Sequence, residues 1–178
     1  MLVVVWVAEP GWPAAVDAAR QMAGPDTDVI LVHVMGDAEE VVHGAFAGLF
    51  GRGQSVPPTV DQAAVTAAQD LLDAAAARLT GLNENRRVRH EIRHGRVERE
   101  VVAAAEDADL LVLSRDGDSS RLGPRSLGPA GRFIVDHAPC AVLLTWPGTA
   151  PGVHTIPPPP RHPPENPPEH PPGRPPPR

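Results

Sequence analysis

One stretch of the sequence carries the residue types that usually bind phosphate, the loop SRDGDSSRLGPRSLGP at residues 114–129. It holds three glycines and three arginines between a run that predicts a strand and a segment that predicts a helix. Glycines let backbone N–H groups approach an anion closely, and guanidinium groups bind phosphate through paired hydrogen bonds. A helix N-terminus adds a favourable dipole. The loop therefore predicts an anion site with Arg115, Gly117, Arg125 and Gly128 as its candidate residues.

The elements that must position this loop alternate between strands and helices. Apolar or alternating runs predict strands near residues 2–7, 29–35, 88–92, 109–114 and 141–146. Helical spacing predicts helices between them, of which Val60–Gly81 is the strongest. Strands separated by helices indicate parallel pairing with right-handed crossovers. The expected fold is α/β, a doubly wound, five-stranded parallel sheet.

The composition changes where the fifth strand ends. Pro147–Arg178 is dominated by proline, which removes backbone donors and prevents regular helix or sheet. The sequence thus predicts a folded domain at residues 1–146 and a disordered tail at residues 147–178. Such a tail could dock a protein partner that recognises proline, and the alternative is a solubilising spacer. Between the second strand and Val60, the segment Gly36–Thr59 predicts only a short helix weakened by glycine.

Bulk properties exclude several classes of function. The net charge of −6 disfavours general nucleic-acid binding, since the phosphate backbone favours a basic surface. The single cysteine, Cys140, rules out an internal disulfide and fits a reducing, cytoplasmic location. No apolar run approaches the roughly 20 residues of a membrane helix. His90 and His94 lack a third ligand, so no metal site is predicted, and no nucleophile or acid–base pair indicates an enzyme.

Two stretches resemble the universal stress protein family. HGRVEREVVAAAEDADLLVLSRDG, at residues 94–117, is similar to that family's third strand, helix, fourth strand and loop. DHAPCAVLL, at residues 136–144, is similar to its closing signature. The resemblance implies a Rossmann-like, five-stranded parallel sheet of the adenine nucleotide alpha hydrolase-like type and a stress-response role. It also implies a homodimer through the last strand, Ala141–Trp146.

Family members that bind ATP share a loop pattern of Gly, two residues, Gly, nine residues and Gly-Ser or Gly-Thr. This sequence departs from it, with Asp116 at the second glycine and Pro129 at the hydroxyl position. Gly117 comes one place late and Gly128 fits the third glycine. In the first strand, the family's nucleotide-anchoring Asp aligns with Val7. At the end of the second strand, Val34 has the residue type that the family resemblance implies beside an adenine. Valine is also the residue that any core strand would carry there.

These departures favour one hypothesis and leave two others open. The favoured one is a dimeric regulatory or interaction module with weak or no ATP binding and no cofactor, in which solvated arginines pair loosely with Asp116, Asp118 and Asp136. The first alternative is an ATP-binding protein in which Arg115 and Arg125 replace the missing backbone contacts. The second is an enzyme of the nucleotide-binding α/β group.

Overall fold

The computed structural model describes residues 1–36, 58–79 and 87–158. In chain order, the strands and helices are β1 Leu2–Trp6, α1 Trp12–Met22, β2 Asp28–Met35, α2 Pro58–Leu79, β3 Val88–His94, α3 Val97–Ala104, β4 Leu110–Ser114, α4 Pro129–His137 and β5 Ala141–Thr145. All five predicted strands are present, and their bounds differ from the prediction by two residues at most. The Gly36–Thr59 prediction falls almost entirely outside the described residues.

The five strands form one parallel sheet in the order β3-β2-β1-β4-β5. This confirms the predicted α/β fold with a doubly wound sheet. The alternation of charged and apolar residues in β3 indicated an edge strand, and β3 does lie at one edge. The apolar strand β5 lies at the other.

Among the described residues, two helices cover each face of the sheet. On one face, α1 and α2 pack against the odd-numbered residues of β1 through Ala15, Val16, Leu72 and Ala75. On the other, α3 and α4 pack through Val101 and Ile134. Because both faces are covered, β1 and β4 are almost entirely apolar and buried, and valine, leucine, isoleucine and alanine make up nearly all of the core.

The sheet order places a topological switch point between β1 and β4. From β1 the chain crosses to β2 on one side, whereas β4 lies on the other side. In sheets of this type, ligands bind outside the carboxyl ends of the strands at the switch point. The loops that follow Trp6 and Ser114 are therefore where a site is expected, and the second of these is the glycine- and arginine-containing loop.

The chain after β5 differs from the disordered tail expected from Pro147 onwards. Val153–Thr155 form a 3-10 turn, and the Thr155 hydroxyl oxygen accepts a hydrogen bond from the Leu122 amide at 3.0 Å. The disorder was predicted from proline content alone. The order seen at Thr155 depends on contacts with a loop that is 33 positions away in the sequence, which composition does not reveal. Residues 159–178 lie outside the described residues, so the domain boundary stays a prediction. Across the described ranges, no helix combines the length and apolarity needed to cross a bilayer.

Candidate functional site

The first turn of α4 is occupied by a carboxylate from the loop that precedes it. The Gly128 amide donates to Asp116 Oδ1 at 2.7 Å, and the Gly131 amide donates to Asp116 Oδ2 at 2.9 Å. Both oxygens of one side chain thus bind backbone donors at a helix N-terminus, where negative charge is favoured by the helix dipole. Asp116 occupies the position that a bound anion would take.

The local sequence explains why a distant acceptor is needed there. Helix α4 begins with Gly128 at its N-cap and Pro129 in its first turn, so neither residue supplies a capping side chain. The first N–H groups of a helix have no partner inside the helix and need an acceptor. Asp116 meets that need from twelve positions earlier in the chain.

The loop closes on itself at Gly117, whose amide is therefore not available to a phosphate. The Gly117 amide donates to the Ser126 carbonyl at 3.0 Å, and the Asp118 amide donates to the Arg125 carbonyl at 2.8 Å. A side chain at Gly117 would collide with the backbone of residues 125–127. Glycine is therefore required here for close packing of the two sides of the loop, and its N–H is already bonded.

The arginines of the region have separate surroundings. The Arg115 guanidinium lies over the Trp146 ring, 4.6 Å from its centroid, and bonds to the Ser126 hydroxyl. Arg121 pairs with Asp118 at 3.2 Å. Arg132 donates to two loop carbonyls at 3.0 and 3.2 Å. The Arg125 side chain is exposed, and no hydrogen bond or ion pair of its guanidinium is found among the described residues.

The expected loose pairing of arginines with aspartates holds for one of the three carboxylates. Asp118 has an arginine partner, and hydrogen bonds from the Ser120 hydroxyl and amide hold its pKa below the usual range. Asp116 bonds to amides instead, as described above. No ion pair of Asp136 is present within the described ranges.

The crevice at the switch point is filled by the protein itself. Gly11, at the start of α1, packs so tightly on Ser114 that a side chain there would overlap the serine hydroxyl. Pro147 comes close to the same point from β5. Val7, in the position of the family's anchoring Asp, is fully buried, and its carbonyl accepts a hydrogen bond from His33 Nδ1 at 2.9 Å. Position 7 therefore presents no carboxylate at the end of β1.

Val34 belongs to the core and not to the loop. It is 7% exposed and belongs to the same core cluster as Trp6, Leu113 and Ile134, on the sheet face that α3 covers. The structure thus brings Arg115, Gly117, Arg125 and Gly128 into one loop, while Val34 lies in the core beside it.

An open groove of about 530 Å³ lies between the first turns of α3 and α4. Its walls include the acidic side chains of Glu98 and Asp116, together with Arg96 and Phe133. Arg96 is itself paired with Glu98 at 2.9 Å. With two acidic groups and one basic group on its walls, this groove is a poor host for a polyphosphate.

Cys140 has the character of a small packed side chain. It contacts the core cluster beneath α3 and α4. Burial raises the pKa of its thiol, with a further rise from the charge of Asp109. Since the thiolate is the reactive form, this environment disfavours a redox role. Within the described ranges, no group of three metal-ligating side chains comes together.

Sequence reasoning found the loop but missed the function of Asp116. The available signal was a helix start, Gly-Pro-Ala-Gly, that has no capping side chain of its own. Such a start requires an acceptor from elsewhere, and the nearby loop contains two aspartates. Which of them reaches the helix depends on how the loop folds, which the sequence pattern does not specify.

The family model for the universal stress protein family matches residues 2–145. Solved structures with the same fold include the hypothetical protein MJ0577, with 16% identity, a TM-score of 0.63 and coverage of 84% of this chain and 97% of that one. Universal stress protein UspA from Lactobacillus plantarum has 19% identity, a TM-score of 0.55 and coverage of 81% and 96%. A universal stress protein solved in complex with cAMP has 18% identity, a TM-score of 0.56 and coverage of 83% and 98%. A search of curated proteins found no match to this sequence.

Proposed function

The chain belongs to the universal stress protein family, and on that basis we propose that it is a cytoplasmic, dimeric regulatory or interaction module of the stress response that does not depend on ATP. It carries out its function through contacts with other proteins and not through catalysis. Its proline-rich C-terminal residues are one candidate surface for such contacts.

The observation that carries this proposal is the Asp116 carboxylate at the start of α4. It uses the Gly128 and Gly131 amides that a phosphate would need. A nucleotide must displace this carboxylate and also overcome its repulsion. Pro129, which has neither a hydroxyl nor an N–H, removes two further donors from the same turn.

Calorimetric titration of the purified protein with ATP and Mg²⁺ tests the proposal. We expect a dissociation constant weaker than about 100 μM, which corresponds to about 5.5 kcal/mol of binding free energy. The physical reason is that the anion position is filled and the Val7 position lacks a carboxylate. A dissociation constant in the low micromolar range would contradict the proposal.

An ATP-binding function is the second candidate, and the exposed guanidinium of Arg125 favours it. The structure describes no partner for this group, so it is available to a phosphate. Another family member has been solved in complex with cAMP, so nucleotide binding occurs in the family. If this candidate is right, Arg125→Ala weakens ATP binding at least about tenfold, or about 1.4 kcal/mol. The matched variant Arg121→Ala, which loses an arginine already paired with Asp118, then has a smaller effect.

We place the dimer interface of this module at the open edge of β5. The side chains of Val142, Leu143 and Leu144 are partly exposed there, although they are apolar. An apolar edge strand with unpaired backbone groups favours pairing with another chain. The opposite edge, β3, carries Arg89, Glu91 and Arg93, a charged pattern typical of edges that avoid such pairing.

A further inference from the structure

The residues that follow β5 return to the glycine- and arginine-containing loop. We call residues 146–157 the C-terminal strap and residues 115–128 the switch-point loop. At the base of the loop, the Arg115 amide donates to the Thr145 carbonyl at 2.9 Å, and the Arg115 guanidinium packs on Trp146 of the strap. Cation–π contacts of this kind add to ordinary packing because the ring face is electron-rich.

The strap also holds the tip of the switch-point loop. The Leu122 amide donates to the Thr155 hydroxyl oxygen at 3.0 Å, and the Thr155 hydroxyl donates to the Gly152 carbonyl at 2.7 Å. Pro157 lies beside Gly123, at the same tip. Thr155 is thus bonded to the loop on one side and to its own turn on the other.

Few apolar side chains are buried in the strap, so it can detach without opening the core. Val153 is 78% exposed and Ile156 is 57% exposed. Segments held mainly by a few polar contacts at the surface open locally at low free energy, while the rest of the fold stays closed. The loop that it holds also has its own internal hydrogen bonds, at Gly117 and Asp118.

We propose that the C-terminal strap is an intramolecular clamp that orders the switch-point loop without a ligand. The closed state is the one seen here, with Trp146 on Arg115 and Thr155 on Leu122. In the open state the loop tip loses its external hydrogen bond and becomes accessible. A partner that binds the strap thereby changes the loop, which couples the C-terminal segment to the switch point. This inference rests on the strap contacts and not on the affinity for ATP, so its test uses no nucleotide.

Amide hydrogen exchange in the full-length protein tests the clamp at the Leu122 amide, which donates to Thr155. Thr155→Val removes the acceptor while keeping the side-chain shape, so we expect the exchange rate of the Leu122 amide to rise about fivefold. Thr155→Ser keeps the hydroxyl and is the matched control, with an unchanged rate expected. The amides of Val3–Val5 in β1 report on global opening and should be unaffected in both variants. An unchanged exchange rate of the Leu122 amide in Thr155→Val would overturn the clamp. An equal rise in the exchange rates of the β1 amides would also overturn it, because the whole fold would then be opening.

Trypsin cleavage provides a second measurement at the loop tip. Arg121 and Arg125 are exposed, so cleavage after them reports how often the loop opens far enough to enter a protease. Trp146→Ala removes the contact at the base, and we expect these two bonds to be cut at least about threefold faster. Val153→Ser changes a strap residue that is 78% exposed and should leave the rate unchanged. Equal rates for Trp146→Ala and the wild type would contradict the clamp.

Discussion

Replacing Asp116 with alanine is expected to lower the free energy of unfolding by about 1–2 kcal/mol. The variant leaves the Gly128 and Gly131 amides without their acceptor and removes a negative charge from the positive end of the helix dipole. Urea unfolding measures the loss. Hydrogen exchange locates it, because those two amides should exchange faster than in the wild type.

Asp118→Ala is the matched control for this effect. Its carboxylate bonds to Ser120 and Arg121 within the exposed part of the loop and reaches no helix. We therefore expect its change in unfolding free energy to stay within about 0.5 kcal/mol. If Asp116→Ala and Asp118→Ala are equally stable, Asp116 does not act as the cap of α4 and the account of the loop is wrong.

Replacing Leu144 with proline is expected to weaken the proposed dimer by about 30-fold. The carbonyl of Thr145 faces β4, where it accepts a hydrogen bond from the Arg115 amide. The backbone groups of a strand alternate in direction, so the N–H of Leu144 faces the open edge. Proline removes that donor in both copies, at about 1 kcal/mol for each hydrogen bond lost. Analytical ultracentrifugation over a concentration series measures the dissociation constant.

Leu144→Ala separates the backbone effect from the side-chain effect. It removes the same apolar side chain from the core beneath α3 and α4 but keeps the N–H. We expect it to lose some stability and to remain a dimer at concentrations where Leu144→Pro is a monomer. If the wild type is itself a monomer at tens of micromolar, the assignment of the interface to β5 is wrong.

The fold could be predicted from the sequence because its strands carry a strong local signal. Runs such as Val3–Val5 and Leu111–Leu113 are continuously apolar, which a strand buried on both faces requires. The alternation in Val88–Ile92 correctly indicated an edge. Element order then limits the topology, because parallel crossovers are almost always right-handed.

The site could be predicted only in part, because its decisive contacts are long-range. The position of the loop followed from the element order, and its poor match to a phosphate site followed from Pro129 and Asp116. The bond from Asp116 to Gly131 spans 15 positions, and the bond from Leu122 to Thr155 spans 33. Neither has a spacing rule comparable to helix or strand periodicity. The strap was missed because its proline content is typical of disorder, whereas its order depends on tertiary contacts.

We conclude that the Asp116 carboxylate, and not a nucleotide phosphate, is the acceptor at the first turn of α4. This can be tested by following the amide resonances of Gly128 and Gly131 in the ¹⁵N-labelled wild-type protein during titration with ATP and Mg²⁺. Because both amides are already bonded to Asp116, we predict that neither resonance approaches saturation below about 100 μM ATP. Saturating shifts of both resonances at low micromolar ATP would show that a phosphate displaces the carboxylate readily and would contradict the claim.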